Sequence, residues 1–419
     1  MSLFTLRWGI ISTGWIAEQV VSDLLVDPTT YELTSFLRRG TNDVVHKVTA
    51  VGSRSVEKAQ KFINEFVNGD KTVKAYGTYD EVYADKNVDA IYIGTPHTYH
   101  YTNALDALKA KKHVLCEKPV TCNAAELRSL IATAKENGVF FMEALWTRFQ
   151  PLAKEVKELI DSGTLGLPVV VHADFSVDFG IDKLPLTHRM LDPKLGGGAI
   201  LDLGPYPLIW TILALYEHPA NKRTKPSNVT GTMYKTPITG VDCNTSYIIT
   251  FSPNSSTGST LAAQAILSCS MNVASHNPGV TIRFEKGTIM IDAPVPCPLR
   301  YTVQYFQEGK PGEIAREDTR TFEYVGSGWH FQADEVARCV RDGKLESELW
   351  SHDKSILEME VFDEASLHRW VRHQGGYKFP DGIEKVLLPV RCGQGGPMNF
   401  SRGKHRKTIL RLVGLVSKH

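Results

Sequence analysis

The chain is short of the features that would take it away from small-ligand chemistry. Only seven of 419 residues are cysteine (Cys116, Cys122, Cys243, Cys269, Cys297, Cys339 and Cys392), an odd, widely spread set with no CxxC pair. Neither a disulfide framework nor a cysteine-rich zinc module is therefore expected, and free thiols in a reducing cytoplasm are the simplest reading. Neither sign of charge is in excess: 47 Lys and Arg against 46 Asp and Glu leave a formal net charge of +1. That removes the usual electrostatic basis for a nucleic-acid or anionic-membrane partner. No apolar run reaches the ~18 residues of a membrane helix. The start, MSLFTLRWGIISTGW, lacks the charged region and cleavage site of a signal peptide. With 42% hydrophobic and 22% charged residues, disorder is excluded as the main state, and the length suits two domains.

What the chain does have is a change of texture near its middle. From Arg7 to about Phe149, short β-branched runs such as RWGII, KVTAVGS and VDAIYIG alternate with amphipathic stretches such as WIAEQVVSDLLV and AAELRSLIATAKENG. Strands alternating with helices imply βαβ units and a doubly wound parallel sheet, here placed at residues 1–149. After Pro168, longer alternating runs (VVVHADFSVDF, TSYIITF, LAAQAILSCSM) are separated by turn material such as SPNSSTGS. An antiparallel sheet is expected within a second, α+β domain at residues 150–380. Helical pattern returns at FQADEVARCVRDG and SILEMEVFDEASLHRWVRH, the second with Leu357, Val361 and Leu367 near helical spacing. Two segments stand apart. Residues 29–46 form a connection far longer than the usual 2–6 of an αβ loop. Residues 381–419 carry eight basic side chains against Asp381 and Glu384 and are expected to be a disordered tail without function.

Several motifs fall at strand ends. Ser12-Thr13-Gly14-Trp15-Ile16-Ala17 fits the dinucleotide fingerprint G-x-G-x-x-G/A with Ser at the first glycine and Ala at the third. Gly14 sits where backbone must approach a pyrophosphate, and the next helix offers free N–H groups to it. At the end of the second strand, where an NAD site usually places Asp or Glu, stand Ser53 and Arg54. A 2′-phosphate needs positive charge and donors, so NADP is favoured over NAD. Thr95, Pro96 and His97 end the fourth strand, at the edge of the sheet where ligands bind in open α/β folds. His97 and His100 have a spacing compatible with metal, yet no third ligand is evident, and no metal is expected. Glu117-Lys118-Pro119 follows the fifth strand, so Lys118 enters the same crevice as a solvated charge or a proton-handling group.

Together with GTPHTYH, HVLCEKPVTCNAAEL, FFMEALWTRFQP and GGGAILDLGPYPL, these motifs make the chain resemble the glucose-fructose oxidoreductase / inositol dehydrogenase (Gfo/Idh/MocA) family. The likeness spans about Leu6 to Tyr377 and is nearest to the family's D-xylose and dimeric dihydrodiol dehydrogenase branch. Segments 29–46 and 381–419 depart from the pattern. The resemblance implies a Rossmann domain followed by an open-faced, mostly antiparallel sheet, with the nicotinamide between them and Thr95, Pro96, His97, His100, Glu117 and Lys118 lining the cofactor. It makes Lys118 an active-site lysine and matches the D-x-x-x-H/Y motif to Asp202 and Tyr206. It sets Trp146, Arg148 and Phe149 at the substrate wall. Gly196, Gly197 and Gly198 are expected to admit the cofactor closely. It further implies a homodimer paired through the open sheet.

The chemistry expected on this basis is oxidation of an aldose, D-xylose to its lactone, with NADP. Tyr206 acts as base, Lys118 lowers its pKa, and Asp202 orients Lys118 or the substrate hydroxyls. A trans-dihydrodiol or dicarbonyl substrate, and a non-catalytic NADPH-binding role, are the alternatives.

Overall fold

Buried apolar strands and one-sided helices assemble the first domain in strict alternation. The computed structural model describes residues 3–26, 43–324 and 326–366, and the backbone of 371–373 and 376–378. The first part runs β1 (Phe4–Ile11), α1 (Trp15–Leu24), β2 (Val44–Gly52), α2 (Val56–Phe66), β3 (Lys74–Tyr76), α3 (Tyr79–Ala84), β4 (Ala90–Ile93), α4 (His97–Lys109), β5 (His113–Glu117), α5 (Ala124–Asn137) and β6 (Phe141–Ala144). The helices begin where side chains cap them. Ser55 accepts from the Lys58 N–H, Thr78 and Glu81 form a capping box, and Asn123 accepts from the Glu126 N–H. All six strands are parallel, in the order β3-β2-β1-β4-β5-β6. The order reverses between β1 and β4, which opens a crevice at their carboxyl ends. Every residue of β4 and β6 is buried, as required when helices cover both faces.

A 3-10 turn (Trp146–Phe149) and α6 (Pro151–Asp161) lead into the second part. It contains β7 (Pro168–Ser176), α7 (Ala199–Asp202), α8 (Pro205–Thr211), β8 (Asn228–Lys235), β9 (Asp242–Phe251), β10 (Ala263–Ser270), β11 (Val280–Phe284), β12 (Gly287–Ile291), β13 (Arg300–Gln307), β14 (Lys310–Thr321), α9 (His330–Arg341) and α10 (His352–Ala365). Its eight-stranded sheet runs β14-β13-β12-β11-β7-β10-β9-β8, antiparallel except for the β7–β10 pair. Helix α8 packs on β7 and β10. The apolar helical run Pro193–Tyr216 is long enough to cross a bilayer, but its apolar 18-residue stretch is buried inside the protein. Val169, Ile248, Ile266 and Ile314 on the sheet are exposed.

Both C-terminal helices fold back on the first domain. Helix α9 touches α1, β1 and β2, while α10 lies between α5 and β8. The last contact is backbone against backbone: a Cβ at Gly231 would stand 2.5 Å from the Ala365 carbonyl oxygen.

Two boundaries differ from the sequence reading. Strand β2 starts at Val44, so the end of the 29–46 connection is sheet: Val44 and Val45 pair with Phe4 and Thr5, and His46 with Leu6. Residues 27–42 lie outside the described residues, as does the tail 381–419. Helix α10 stops at Ala365, and Val371–His373 pairs antiparallel with Gly376–Lys378 instead of continuing it. Leu367 lies outside the described residues.

Candidate active site

The cofactor end of the crevice is built from the turn after β1. Ser12 holds φ +82°, a left-handed conformation that explains why glycine is usual at the first place of the fingerprint. Its N–H donates to the Gly52 carbonyl at 3.2 Å, and the Thr13 and Ser53 hydroxyls meet at 3.0 Å, so the turn is tied to the end of β2. Gly14 is the N-cap of α1 and supplies no side-chain cap. A Cβ there would meet only the Ser12 hydroxyl, at 3.6 Å, so its backbone is open. Ile16 presses on Gly94 instead, where a Cβ would come within 3.2 Å of the isoleucine, bringing α1 close to the end of β4. Arg54 is exposed, near enough to Tyr79 to favour its phenolate while burial pushes that phenol up. The Trp15 indole N–H is buried without an acceptor among the described residues. An uncapped helix start, an open glycine, an orphaned donor and an exposed arginine fit a phosphorylated dinucleotide.

At the other end of the crevice the polar groups already hold one another. Lys118 Nζ donates to the Asp202 carbonyl at 2.7 Å and to its Oδ1 at 3.1 Å. Arg189 Nη1 donates to the same Oδ1 at 3.0 Å, and His97 Nε2 stands 3.6 Å from it. Burial works against the Asp202 charge, but Arg189, Lys118 and His97 outweigh it and hold the carboxyl well below the usual range. For Lys118, burial disfavours the ammonium, but Asp202 and Tyr206 raise its pKa overall. The ammonium stands 4.9 Å from the centre of the Tyr206 ring, and the Tyr206 hydroxyl accepts from Trp146 Nε1 at 3.1 Å. Burial pushes Tyr206 up to about 12 with Lys118 pulling the other way. The lysine therefore moderates the phenol without bringing it below its ordinary value.

The backbone around this cluster is shaped by its own packing. Helix α7 ends at Asp202 and α8 begins at Pro205, so Asp202 and Tyr206 belong to successive short helices. Gly204 between them admits no side chain, because a Cβ would lie 2.3 Å from the Ile200 carbonyl oxygen. The glycine triplet, expected to admit a cofactor closely, is also fitted tightly to the protein itself. A Cβ on Gly197 would strike the Met190 carbonyl at 2.7 Å, and one on Gly198, at φ +125°, the Asp242 carboxylate at 2.1 Å. Asp242 accepts from the Ile200 N–H at 2.8 Å and from Thr245 at 2.6 Å, securing the start of α7.

The remaining expected residues divide. His97 joins the cluster and also contacts the Gly196 carbonyl at 3.0 Å. His100 turns away: its two ring nitrogens face the Pro119 and Thr95 carbonyls at 2.8 and 2.7 Å, so it braces the loops after β4 and β5. Thr95 accepts from Asn103, and Pro96 precedes the first turn of α4. Glu117 accepts from the Tyr92 hydroxyl at 2.8 Å and from the Lys118 N–H at 3.3 Å, and burial pushes it up to about 7. Trp146 stacks on Trp329 at 3.7 Å, and Phe175 meets Tyr206 edge-on at 5.1 Å. Arg148 does not join this wall; it is buried against Glu217, which also binds Lys354. A buried guanidinium needs a counter-ion, and Glu217 supplies it. Phe149 is part of the hydrophobic core. Sequence reading missed Arg189, Trp329 and Phe175, which lie in segments with no motif of their own.

A model described as oxidoreductase family, NAD-binding Rossmann fold matches residues 6–145, and one for the GFO/IDH/MocA C-terminal domain matches residues 153–290. The chain is 38% identical over 393 residues to D-xylose 1-dehydrogenase (NADP(+)) of Hypocrea jecorina, covering 91% of this chain and 94% of the relative. It is 32% identical over 362 residues to trans-1,2-dihydrobenzene-1,2-diol dehydrogenase of Danio rerio, covering 86% and 96%. Among solved structures, the aldose-aldose oxidoreductase of Caulobacter crescentus superposes with a TM-score of 0.68 at 20% identity, over 87% of this chain and 97% of that one, and so speaks for the fold alone. With both domain types matched in order, and with Lys118, Asp202 and Tyr206 brought together between the two sheets, the chain belongs to the Gfo/Idh/MocA family of oxidoreductases.

Proposed function

We propose that the protein oxidises the C1 hydroxyl of an aldose, D-xylose foremost, to the lactone with NADP. The observation that carries this reading is the buried Lys118–Asp202–Tyr206 cluster at the carboxyl edge of the parallel sheet, opposite the open turn at Gly14. NADP, when bound, supplies the hydride acceptor, and Gly14, Ser53 and Arg54 are the residues that would hold its phosphates. The protein's own task is to take the hydroxyl proton as the C1–H bond gives up its electron pair and the C1–O bond becomes a carbonyl. Tyr206 Oη is the acceptor of that proton, Lys118 favours its phenolate, and Asp202, fixed by Arg189, holds Lys118 in place. With Tyr206 pushed up to about 12, sugar oxidation speeds up as pH rises, and reduction of a carbonyl by the same phenol is favoured at neutral pH.

A second reading, a trans-dihydrodiol as substrate, is supported by the aromatic surroundings of Tyr206, where Trp146, itself stacked on Trp329, and Phe175 contact it. Pairing of two copies through the exposed apolar residues of the large sheet would take them out of water, and the six cysteines among the described residues, all free and buried, suit a reducing cytoplasm. Initial rates of NADPH formation with D-xylose, D-glucose and a trans-dihydrodiol, with NAD as control, test the proposal. Preference for xylose with NADP supports it; preference for the diol turns it to the second reading, and silence with all three despite NADPH binding overturns both.

A further inference from the structure

Behind the catalytic lysine lies a pair of acids that the chemistry above does not use. Glu143, in β6, is buried and accepts three hydrogen bonds: from the Val120 N–H at 3.0 Å, from Trp350 Nε1 at 3.1 Å and from Ser355 Oγ at 2.6 Å. An ionised carboxylate offers about four lone-pair sites, so roughly one remains. Glu358, one turn beyond Ser355 on α10, is 0% exposed, and neither of its oxygens meets a donor among the described residues. Ser355, three residues earlier on the same face of α10, bonds Glu143 at 2.6 Å, which brings the Glu358 carboxyl to that of Glu143.

Two buried carboxylates cannot face each other while both are charged; one must keep its proton. Glu143, with three donors, is the better anion. Glu358, with none, is the better acid, and burial followed by Glu143 pushes it well above the carboxylate range. The other groups acting on the pair are few. Lys118 favours ionisation of Glu358, Glu117 and Glu143 disfavour one another's charge, and Glu358 in turn raises Tyr247 of β9. The Lys118 ammonium is already committed to Asp202 and is no counter-ion for the pair.

We propose that Glu358 is a positioning residue for the active site: as the neutral acid it donates its proton to the remaining site on Glu143, and the pair, acting as one monoanion, pins Val120 and so the Lys118-Pro119-Val120 loop. The pair would thereby tie α10, which also packs on β8, to the loop that carries Lys118. This rests on the reading of Lys118 as an active-site residue, but the protonation it requires does not.

The test uses the full-length protein and two substitutions. In Glu358→Gln the amide still donates to Glu143; in Glu358→Met no donor remains. Infrared difference spectra at neutral pH should show a protonated-carboxyl C=O band in the wild type that Glu358→Gln removes. Glu358→Met should lower kcat about tenfold or more, the scale of losing a hydrogen bond to a charged group, with KM for NADP nearly unchanged. Glu358→Gln should restore most of that loss. A spectrum that Glu358→Gln leaves unchanged overturns the shared proton, whether or not the methionine variant folds. Wild-type kcat in a folded Glu358→Met overturns the positioning role. A wild type inactive on every substrate would sink the functional reading while the infrared band still decides the proton.

Discussion

The two ends of the crevice are built on opposite principles. At the cofactor end, groups are left open or unpartnered: Gly14 supplies no side-chain cap, the buried Trp15 indole N–H has no acceptor among the described residues, and Arg54 is exposed. At the catalytic end, Asp202 collects Lys118, Arg189 and His97, and Tyr206 is held by Trp146. On the proposed reading of the site, the difference separates binding from chemistry. A site whose geometry must be correct at the moment of proton transfer is organised by the protein in advance. A site that gains its partners from the ligand can be left open, at little cost in folding stability.

That contrast makes substitutions at the two ends fail differently. The largest expected effect is Tyr206→Phe, which should cut turnover by about 10²–10⁴-fold, the usual worth of a positioned acid or base, while NADPH affinity measured by fluorescence quenching stays nearly intact. The rise of oxidation rate toward alkaline pH should vanish with it. Unchanged turnover would discard Tyr206 as the base. Next is Gly198→Ala, on the frame of the catalytic end. Backbone strain at φ +125° and the clash with Asp242 should each cost about 1–3 kcal/mol, read as a lower denaturant midpoint. A neutral result would mean that this frame is as open as the cofactor end.

Arg54→Ala should act in the opposite manner. KM for NADP rises about ten- to a hundredfold, the range of a charge-assisted hydrogen bond, with kcat and the unfolding midpoint unchanged and NAD kinetics unaffected. Loss of kcat here would erase the distinction between the ends. The smallest effect, read per pH unit, concerns Glu117. Its folded pKa, about 7, lies above the ordinary 4.5, so between those values the native state binds more protons than the unfolded chain. Stability is therefore lost as pH rises through that window, by at most about 1.4 kcal/mol per pH unit. Glu117→Gln, whose carbonyl can still accept from Tyr92, should flatten that slope in denaturant titrations from pH 4.5 to 7. An unaltered slope would assign it to other groups.

The motifs at strand ends were readable because the backbone of an α/β crossover repeats the same local problem. Ser12 to Ile16 had to turn from strand to helix, Ser53 and Arg54 had to end β2, and Lys118 had to follow β5. Arg148 shows where such reading stops. It is three residues before the start of α6 and beside Trp146 in sequence, yet it points to Glu217, because a buried guanidinium goes to whichever carboxylate the packing supplies. His100 likewise shares a motif with His97 but spends both nitrogens on backbone carbonyls.

By itself the sequence determined the alternation of elements and the family likeness, which together named the candidate residues Lys118, Asp202 and Tyr206, since periodicity and sequence motifs are local properties. Tertiary structure alone decided what surrounds them. Arg189 on Asp202, Trp329 on Trp146, Asp242 at the start of α7 and Glu358 against Glu143 join residues that lie from 13 to more than 200 positions apart in the chain. No local pattern encodes such pairs; they follow from how two sheets and two returning helices close on a shared core.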